Sequence, residues 1–288
     1  MEARRLSDPS EFLAAAGPFL VADEARHNLI LGISGTLRDQ PGYYPEFHLW
    51  LAEDDDGRVV GAALQTPPFS LVLAQPANDA AATVLAEAIA NDGLDLPGLV
   101  AAFPEADDFA EPWEARRDVR RKLRRRQRIY RLTEVRPPDR VTGSPRVATA
   151  EDRQLLVAWV DEFAREILPD APSPARDAER VVDGRLGTDD GGFLLWDDGE
   201  PVSLAGWGSP TPNGIRIGPV YTPPDRRSNG YGSAVTAAVS ADRLAAGRRF
   251  CFLYTDLANP TSNKIYVDIG YEPVCDAVDY AFERAGAP

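Results

Sequence analysis

Residues 220–234 read VYTPPDRRSNGYGSA and join a segment with strand character to a segment with helix character. The strand-like residues are 214–220, and the alanine-rich helical residues are 230–246. Pro223 and Pro224 prevent the strand from continuing and the helix from beginning early. We therefore expect a helix N-terminus directly after the glycines of this stretch.

The glycines and arginines of the same stretch suit an anion site. Gly230 and Gly232 leave the backbone bare where the helix begins, so its N–H groups can approach an incoming group closely. Those first N–H groups lack partners within the helix, and the helix dipole adds positive charge, a combination that binds phosphate. Arg226 and Arg227 add charge-assisted donors. A Gly-x-Gly alone is more often a closely packed strand-to-helix turn than an anion site.

The wider pattern, Arg227-x-x-Gly230-x-Gly232, resembles the acyl-CoA pyrophosphate loop of the GCN5-related N-acetyltransferases. The preceding residues 220–224 resemble that family's fourth strand and its exit, and Ser228 stands where the family often has glycine. The resemblance implies that acetyl-CoA binds here as a co-substrate. The residues that it assigns to the cofactor are Val220, Tyr221, Thr222, Arg226, Arg227, Ser228, Asn229, Gly230, Tyr231, Gly232 and Ser233.

A second segment, residues 259–271, resembles the part of the family that follows the fifth strand. The resemblance implies that Asn259 contacts the pantetheine arm and that Tyr266, on a short helix, faces the thioester sulfur. Local signals agree, because Asn259 before Pro260 is typical of a helix N-cap and Gly270 of a helix end. Alone, Asn259 would be a plain cap and Tyr266 a buried aromatic. Both segments in the right order indicate the family.

Composition limits the class of protein. The 288 residues suggest two domains or one large one. No apolar run is long enough to span a membrane and the N-terminus lacks a signal-peptide core, so we expect a cytoplasmic protein without a membrane partner. Cys251 and Cys275 are expected as reduced core residues, and no metal site is expected. The net charge of −14 disfavours nonspecific nucleic-acid binding.

The two halves of the sequence share a pattern. Phe47-x-x-Trp50, an acidic turn and a returning strand match Phe193-x-x-Trp196, its turn and its return. Each half continues with a proline break, another strand and an alanine-rich helix, so we infer two copies of one fold. The expected fold class is mixed α/β: two tandem domains like those of the resembled family, each a mixed central sheet flanked by helices.

Proline and glycine between residues 136 and 145 set the expected domains at 1–140 and 141–288. The first-half loop, residues 75–79 (QPAND), contains neither glycine nor arginine. Its side chains would stand where backbone N–H groups must meet a pyrophosphate. We therefore expect the first half to be a degenerate copy that does not hold acyl-CoA in the same way.

A strongly basic run, residues 116–131, reads RRDVRRKLRRRQRIYR. We expect a helix over 111–126 and a strand over 128–135. A solvated helix face is favoured over a nucleic-acid arm, because aromatic residues are not interleaved along the run. An interface with the acidic second half stays open. Further helices are expected over 22–31 and 175–186, a loop over 169–174, and a closing hairpin over 271–282.

The resemblance implies direct attack of an amine on the thioester, with proximity supplying much of the rate. A backbone N–H near Val220 or Tyr221 would polarise the thioester carbonyl, and Tyr266 would act as the general acid. The base is left open between Glu162, Asp225 and a water relay. The acceptor is expected to be the primary amine of a small molecule or peptide, and the protein a monomer or homodimer.

Two other functions remain as alternatives. One is a non-catalytic acyl-CoA-binding regulatory module, for which Tyr266 would have no evident purpose. The other is an aminoacyl transferase that uses a charged tRNA, against which the acidic balance and the intact cofactor-type loop both count.

Overall fold

The computed structural model describes residues 1–167 and 174–285, so the expected loop over 169–174 lies, except for its last residue, outside the described residues. Twelve β-strands and eight α-helices are formed in these two ranges. Contacts between Cα atoms divide the chain into two compact units. Among the described residues, the first unit comprises 1–129, 254–259 and 273–285, and the second comprises those within 130–253 and 260–272.

The first unit contains a mixed sheet in the order β1-β2-β3-β4-β5-β12. Its strands are β1 (Glu2–Leu6), β2 (His48–Glu53), β3 (Val59–Gln65), β4 (Leu71–Leu73), β5 (Gly98–Ala102) and β12 (Glu272–Arg284). Neighbours are antiparallel except β4 and β5, which are parallel. The last strand of the chain therefore completes the first sheet by pairing with β5.

Helices cover both faces of this sheet. They are α1 (Pro9–Val21), α2 (Asn28–Asp39), α3 (Asp79–Asn91) and α4 (Glu105–Arg117). Alternate side chains of β2 point to opposite faces, so Trp50 packs with α3 and α4 whereas Leu49 and Leu51 pack with α1 and α2. The first unit is thus a sheet between two helical layers.

The second unit repeats this layout. Its strands, in sheet order, are β11 (Phe250–Asp256, to residue 253 in this unit), β10 (Gly214–Tyr221), β9 (Pro201–Gly208), β8 (Gly192–Asp197) and β7 (Ser144–Val147). Its helices are α5 (Arg153–Ile167), α6 (Pro174–Asp183), α7 (Tyr231–Ala245) and α8 (Pro260–Asp268). In β8, Leu194 and Trp196 pack with α7 and Phe193 and Leu195 with α5. The predicted mixed α/β fold is confirmed.

The units differ in their bounds from the expected domains 1–140 and 141–288. Residues 273–285 group with the first unit because β12 forms its antiparallel pairs with β5, from Ala277 opposite Ala102 to Ala281 opposite Gly98. The division into two contiguous domains stays a prediction, whereas the contacts give two interleaved units.

The expected helix over 111–126 is wrong. Helix α4 ends at Arg117, where Asp118 takes a left-handed conformation with φ 50°, and the basic run continues as strand β6 (Val119–Leu132). Its cations pair with carboxylates of the first unit: Arg121 with Glu114 at 2.9 Å, Lys122 with Glu283 at 3.0 Å and Arg128 with Asp276 at 2.6 Å. These tertiary contacts override the helix propensity of arginine.

Two further expectations are corrected. The chain forms one strand, β12, in place of a hairpin over 271–282. Residues 23–27 form turns, and the second helix begins at Asn28, whose side chain donates to the carbonyl oxygen of Ala25 at 2.7 Å. In both places hydrogen bonds, between strands or within a turn, determine the structure. Hydrophobic periodicity in the sequence does not reveal such bonds.

Val278 on β12 tests the interleaving. Its side chain is 1% exposed and packs in the core of the first unit. We expect Val278→Ala to lower the stability of that unit by about 1–3 kcal/mol, because two carbons are lost from a buried site. Hydrogen exchange should quicken in β5 and α3 but not in β8 and β9. The matched control, Val202→Ala, removes the same atoms from the core of the second unit. It should quicken hydrogen exchange in β8 and β9 but not in β5 and α3. Equal effects of both variants on β5 would contradict the assignment.

Candidate functional site

Strands β10 and β11 are parallel neighbours only at their beginning. Gly214, Ile215 and Arg216 pair with Phe250, Cys251 and Phe252, after which β10 continues to Tyr221 without further pairs to β11. The pairing of β10 with β9 also shifts between Ile217 and Val220. Gly218 sits in this shift with φ 140°, which glycine adopts most easily. The second half of β10, which includes Val220, thus forms no pairs with its parallel neighbour.

The loop after β10 leads into a helix, α7, whose N-terminus has no side-chain cap. It passes through a short 3₁₀ turn, Pro224–Arg226, and α7 begins at Tyr231 with Gly230 at the N-cap position. No side chain caps this end, and the first bond within the helix runs from the N–H of Ala234 to the carbonyl of Gly230 at 3.0 Å. The N–H groups of Tyr231, Gly232 and Ser233 therefore gather at one positive helix end.

Backbone conformation explains the residue types of the loop. Gly230 has φ 82°, and a Cβ atom added there would lie 3.0 Å from a methyl group of Val141. A Cβ added at Gly232 would lie 3.4 Å from the Thr222 hydroxyl. Ser228 also has a positive φ, 67°, which costs a non-glycine residue roughly 1–2 kcal/mol. This is the position at which the resembled family often has glycine.

The corresponding helix of the first unit, α3, has a different N-terminus. The Asn78 side chain caps it by accepting from the N–H of Ala81 at 3.0 Å. Asp79 adds a carboxylate to its first turn. A backbone N–H group at the N-terminus of α3 thus has a capping partner that α7 lacks, and the carboxylate of Asp79 disfavours an anion there.

Both loop arginines are engaged by carboxylates. Arg226 pairs with Glu200 and lies 3.3 Å from a carboxylate oxygen of Asp225. Arg227 is turned toward α5, where its Nη2 lies 2.6 Å from Glu166. Both arginine side chains are 45% exposed. The predicted cations are therefore at the loop, in ion pairs that solvent can reach.

Polar contacts order the rest of the predicted loop residues. Asn229 donates to the carbonyls of Arg226 at 3.0 Å and Arg227 at 3.1 Å. The hydroxyls of Thr222 and Ser203 lie 2.8 Å apart, and the Tyr231 hydroxyl donates to Asp198 at 2.5 Å. The segment from Val220 to Ser233 thus forms one continuous part of the second unit.

Tyr266 lies on α8 in the same unit. It is 9% exposed and belongs to the core cluster that also includes Ile217 of β10 and Ala234 of α7. Burial raises the pKa of its phenol to about 12. Over the described ranges, no protein group forms a hydrogen bond with its hydroxyl. At neutral pH Tyr266 is therefore a protonated phenol with its donor still available.

Asn259 directly precedes α8, as its N-cap pattern predicts, and its N–H donates to the Asp256 carbonyl at 3.1 Å. It groups with the first unit, whereas the loop and Tyr266 belong to the second. The pantetheine contact of Asn259 stays a prediction.

Helix α5 contributes two carboxylates beside this segment. The Tyr221 hydroxyl donates to Glu162 at 2.7 Å, and burial together with this bond raises the pKa of Tyr221 to about 12. Sequence reasoning named Glu162 as a candidate base but missed Glu166. The signal was present, since residues four apart on a predicted helix lie on one face.

Neither cysteine is arranged for thiol chemistry. Burial raises the pKa of Cys251 to about 12 and that of Cys275 to about 11, so both thiols are protonated at neutral pH. Among the residues that the structure places, no group of histidine, cysteine and carboxylate side chains could hold a metal ion, and no helix could span a membrane.

Comparisons with known proteins agree with the geometry. Residues 195–278 match the family model described as FR47-like protein, and a comparison with curated proteins finds no match. A GCN5-related N-acetyltransferase from Kribbella flavida superposes with a TM-score of 0.55 at 20% identity, over 77% of this chain and 86% of that one. A tandem protein of this type from the clavulanic acid biosynthesis pathway gives 0.59 at 14% identity over the whole of both chains.

A Drosophila protein gives a TM-score of 0.67 at 14% identity, over 99% of both chains. At sequence identities this low, the superpositions show a shared fold only. The predicted resemblance to tandem GCN5-related N-acetyltransferases is confirmed at that level.

The pKa of Tyr266 predicts a pH dependence of stability. An unfolded tyrosine titrates near 10, and the folded pKa of about 12 is higher, so the protonated phenol favours the folded state. This contribution, at most about 2–3 kcal/mol, is complete below pH 10 and is lost as pH rises from 10 to 12. Tyr266→Phe should therefore lose less stability than wild type between pH 9 and 11, measured by urea denaturation. Equal losses would show that the phenol titrates normally.

Proposed function

We propose that the second unit binds acetyl-CoA at the N-terminus of α7 and that the protein transfers the acetyl group to a primary amine. The observation that carries this is the contrast between the two helices in equivalent places: α7 has an uncapped N-terminus behind a glycine loop, whereas Asn78 caps α3. The fold likeness to acetyltransferases supports acyl transfer in general.

The residues present fit the pyrophosphate of the cofactor. Three N–H groups, those of Tyr231, Gly232 and Ser233, would donate to it, and the two glycines keep side chains away. Arg226 and Arg227 would add charge-assisted donors from side chains that are 45% exposed. Acetyl-CoA supplies an activated thioester, and the irregular part of β10 near Val220 would offer a backbone N–H to its carbonyl oxygen.

Tyr266 would assist the leaving sulfur. Its pKa of about 12 lies above that of an ordinary thiol, about 8.5, so the phenol remains protonated while negative charge develops on the sulfur. With a pKa above that of the thiol, the phenol would stabilise the leaving thiolate by a hydrogen bond as the C–S bond breaks and would keep its own proton.

Glu162 is the base that we favour. Tyr221 fixes one of its carboxylate oxygens at 2.7 Å, at the end of β10. Asp225, the other acidic candidate, lies in the loop and is next to Arg226 at 3.3 Å. Glu162 would take a proton from the acceptor ammonium directly or through one water, which leaves a neutral amine to attack the thioester carbon.

The first unit is proposed to be a degenerate copy that does not bind acyl-CoA in this way. Calorimetry with acetyl-CoA, beside thiol release with a panel of amines, tests the whole assignment. Binding with turnover supports the transferase. Binding without turnover would favour the regulatory module, and the absence of both would overturn the cofactor loop.

Gly230 provides a test of the loop. Gly230→Val places a branched side chain at a positive φ beside the α7 N-terminus, so we expect acetyl-CoA affinity to fall at least tenfold. The matched control is Gly247→Val at the other end of α7, where φ is 98° and no atom lies within 4 Å of an added Cβ. Both variants should lose similar stability, roughly 1–3 kcal/mol. Calorimetry should show intact binding by the control alone; wild-type affinity in Gly230→Val would refute the loop assignment.

Tyr266→Phe provides a test of the chemistry. Removing the hydroxyl keeps the ring in its core cluster, so the Kd for acetyl-CoA should stay nearly unchanged while kcat falls roughly 10²–10⁴-fold. Tyr271→Phe is the matched control, because its buried hydroxyl bonds to Ser240 at 2.9 Å and takes no part in the proposal. Stopped-flow assays of thiol release give kcat for both variants, and calorimetry gives their Kd for acetyl-CoA. Normal turnover in Tyr266→Phe would make that residue a packing residue.

A further inference from the structure

The hydrogen bonds of Arg227 run to groups outside α7, the helix whose N-terminus it is proposed to serve. Its Nε donates to the Thr222 carbonyl at 2.9 Å and its Nη2 to Glu166 at 2.6 Å. Its guanidinium carbon lies 5.8 Å from the centre of the Tyr221 ring. Three groups thus hold the cation against β10 and α5, and the carboxylate of Glu166 is the only anionic one among them.

A pyrophosphate at α7 must compete with Glu166 for the same guanidinium. The pair is open to solvent, with 45% of the Arg227 side chain and 46% of the Glu166 side chain exposed. Exposed ion pairs of this kind are weak, whereas bidentate contacts of arginine with phosphate are among the stronger hydrogen bonds. A phosphate that displaced Glu166 would therefore form the stronger pair, and its net affinity would be reduced by the pair that must break.

We propose that Glu166 is a positioning residue that holds Arg227 on α5 in the free protein and releases it when acyl-CoA binds. The inference rests on the proposed function, because it requires a pyrophosphate at the loop. Binding of the cofactor would thereby be linked to α5, the helix that also carries Glu162. The Tyr221 side chain joins the two, because its hydroxyl donates to Glu162 and its ring lies beside the Arg227 cation.

The linkage has a direction that can be measured. If Glu166 competes with the phosphate, removing its charge must strengthen cofactor binding, and the gain must depend on Arg227. The weak exposed pair predicts a gain of about two- to fivefold. A purely structural role of Glu166 predicts weaker binding, and general repulsion of the anionic ligand predicts a gain that persists without Arg227.

The experiment is a double-mutant cycle on the full chain with coenzyme A as the probe. Calorimetry gives the Kd of wild type, Glu166→Gln, Arg227→Gln and the double variant, and thermal melting checks that each is folded. We expect about two- to fivefold tighter binding for Glu166→Gln, weaker binding for Arg227→Gln, and no effect of Glu166→Gln in the Arg227→Gln background. Glu166→Asp, which keeps the charge, should bind with an affinity between wild type and Glu166→Gln.

The outcomes separate this inference from the function on which it rests. If wild type binds coenzyme A and Glu166→Gln binds equally or more weakly, the inference is overturned and the function stands. An equal gain in both backgrounds also overturns it, because the charge then acts without Arg227. If no folded variant binds coenzyme A, the proposed function fails and this inference fails with it.

Discussion

The site depends on where parallel pairing stops. Beyond Arg216 and Phe252, β10 and β11 form no further pairs, and the register of β10 against β9 shifts at Gly218. A strand that continued its ladder would bury its backbone groups against its neighbour. Because it does not, the chain can leave β10, pass through two prolines and present an uncapped helix N-terminus.

Local signals were readable in the sequence. Prolines, glycines and the Asn259-Pro260 pair act within a few residues, so the loop, α7 and α8 are predicted close to their observed bounds. Contacts between distant residues were not readable. The basic run forms a strand because its cations meet carboxylates such as Glu283, 161 positions away, and Arg227 meets Glu166, 61 positions away. Arginine-rich periodicity contains no information about such partners.

The two units share one framework but differ at the N-terminus of the equivalent helix, which has a side-chain cap in α3 and none in α7. A capping side chain such as Asn78 stabilises a helix by roughly 1 kcal/mol, and α7 lacks that contribution. Ser228 adds a strained backbone conformation to the same loop. The N-terminus of α7 and its loop are therefore less stable than a capped helix end with an unstrained loop would be. Such local instability is common where a ligand completes the structure. The first unit, with its cap, is complete at the equivalent place.

The pairing of β12 with β5 has a consequence for synthesis of the chain. Residues 98–102 leave the ribosome about 175 positions before residues 277–281, their antiparallel partners. At roughly 5–20 residues per second, the edge of β5 waits on the order of 10–35 s for that partner. During this interval all residues of the second unit emerge and can fold. The first unit is thus finished last, and until β12 emerges the open edge of β5 can pair with other chains.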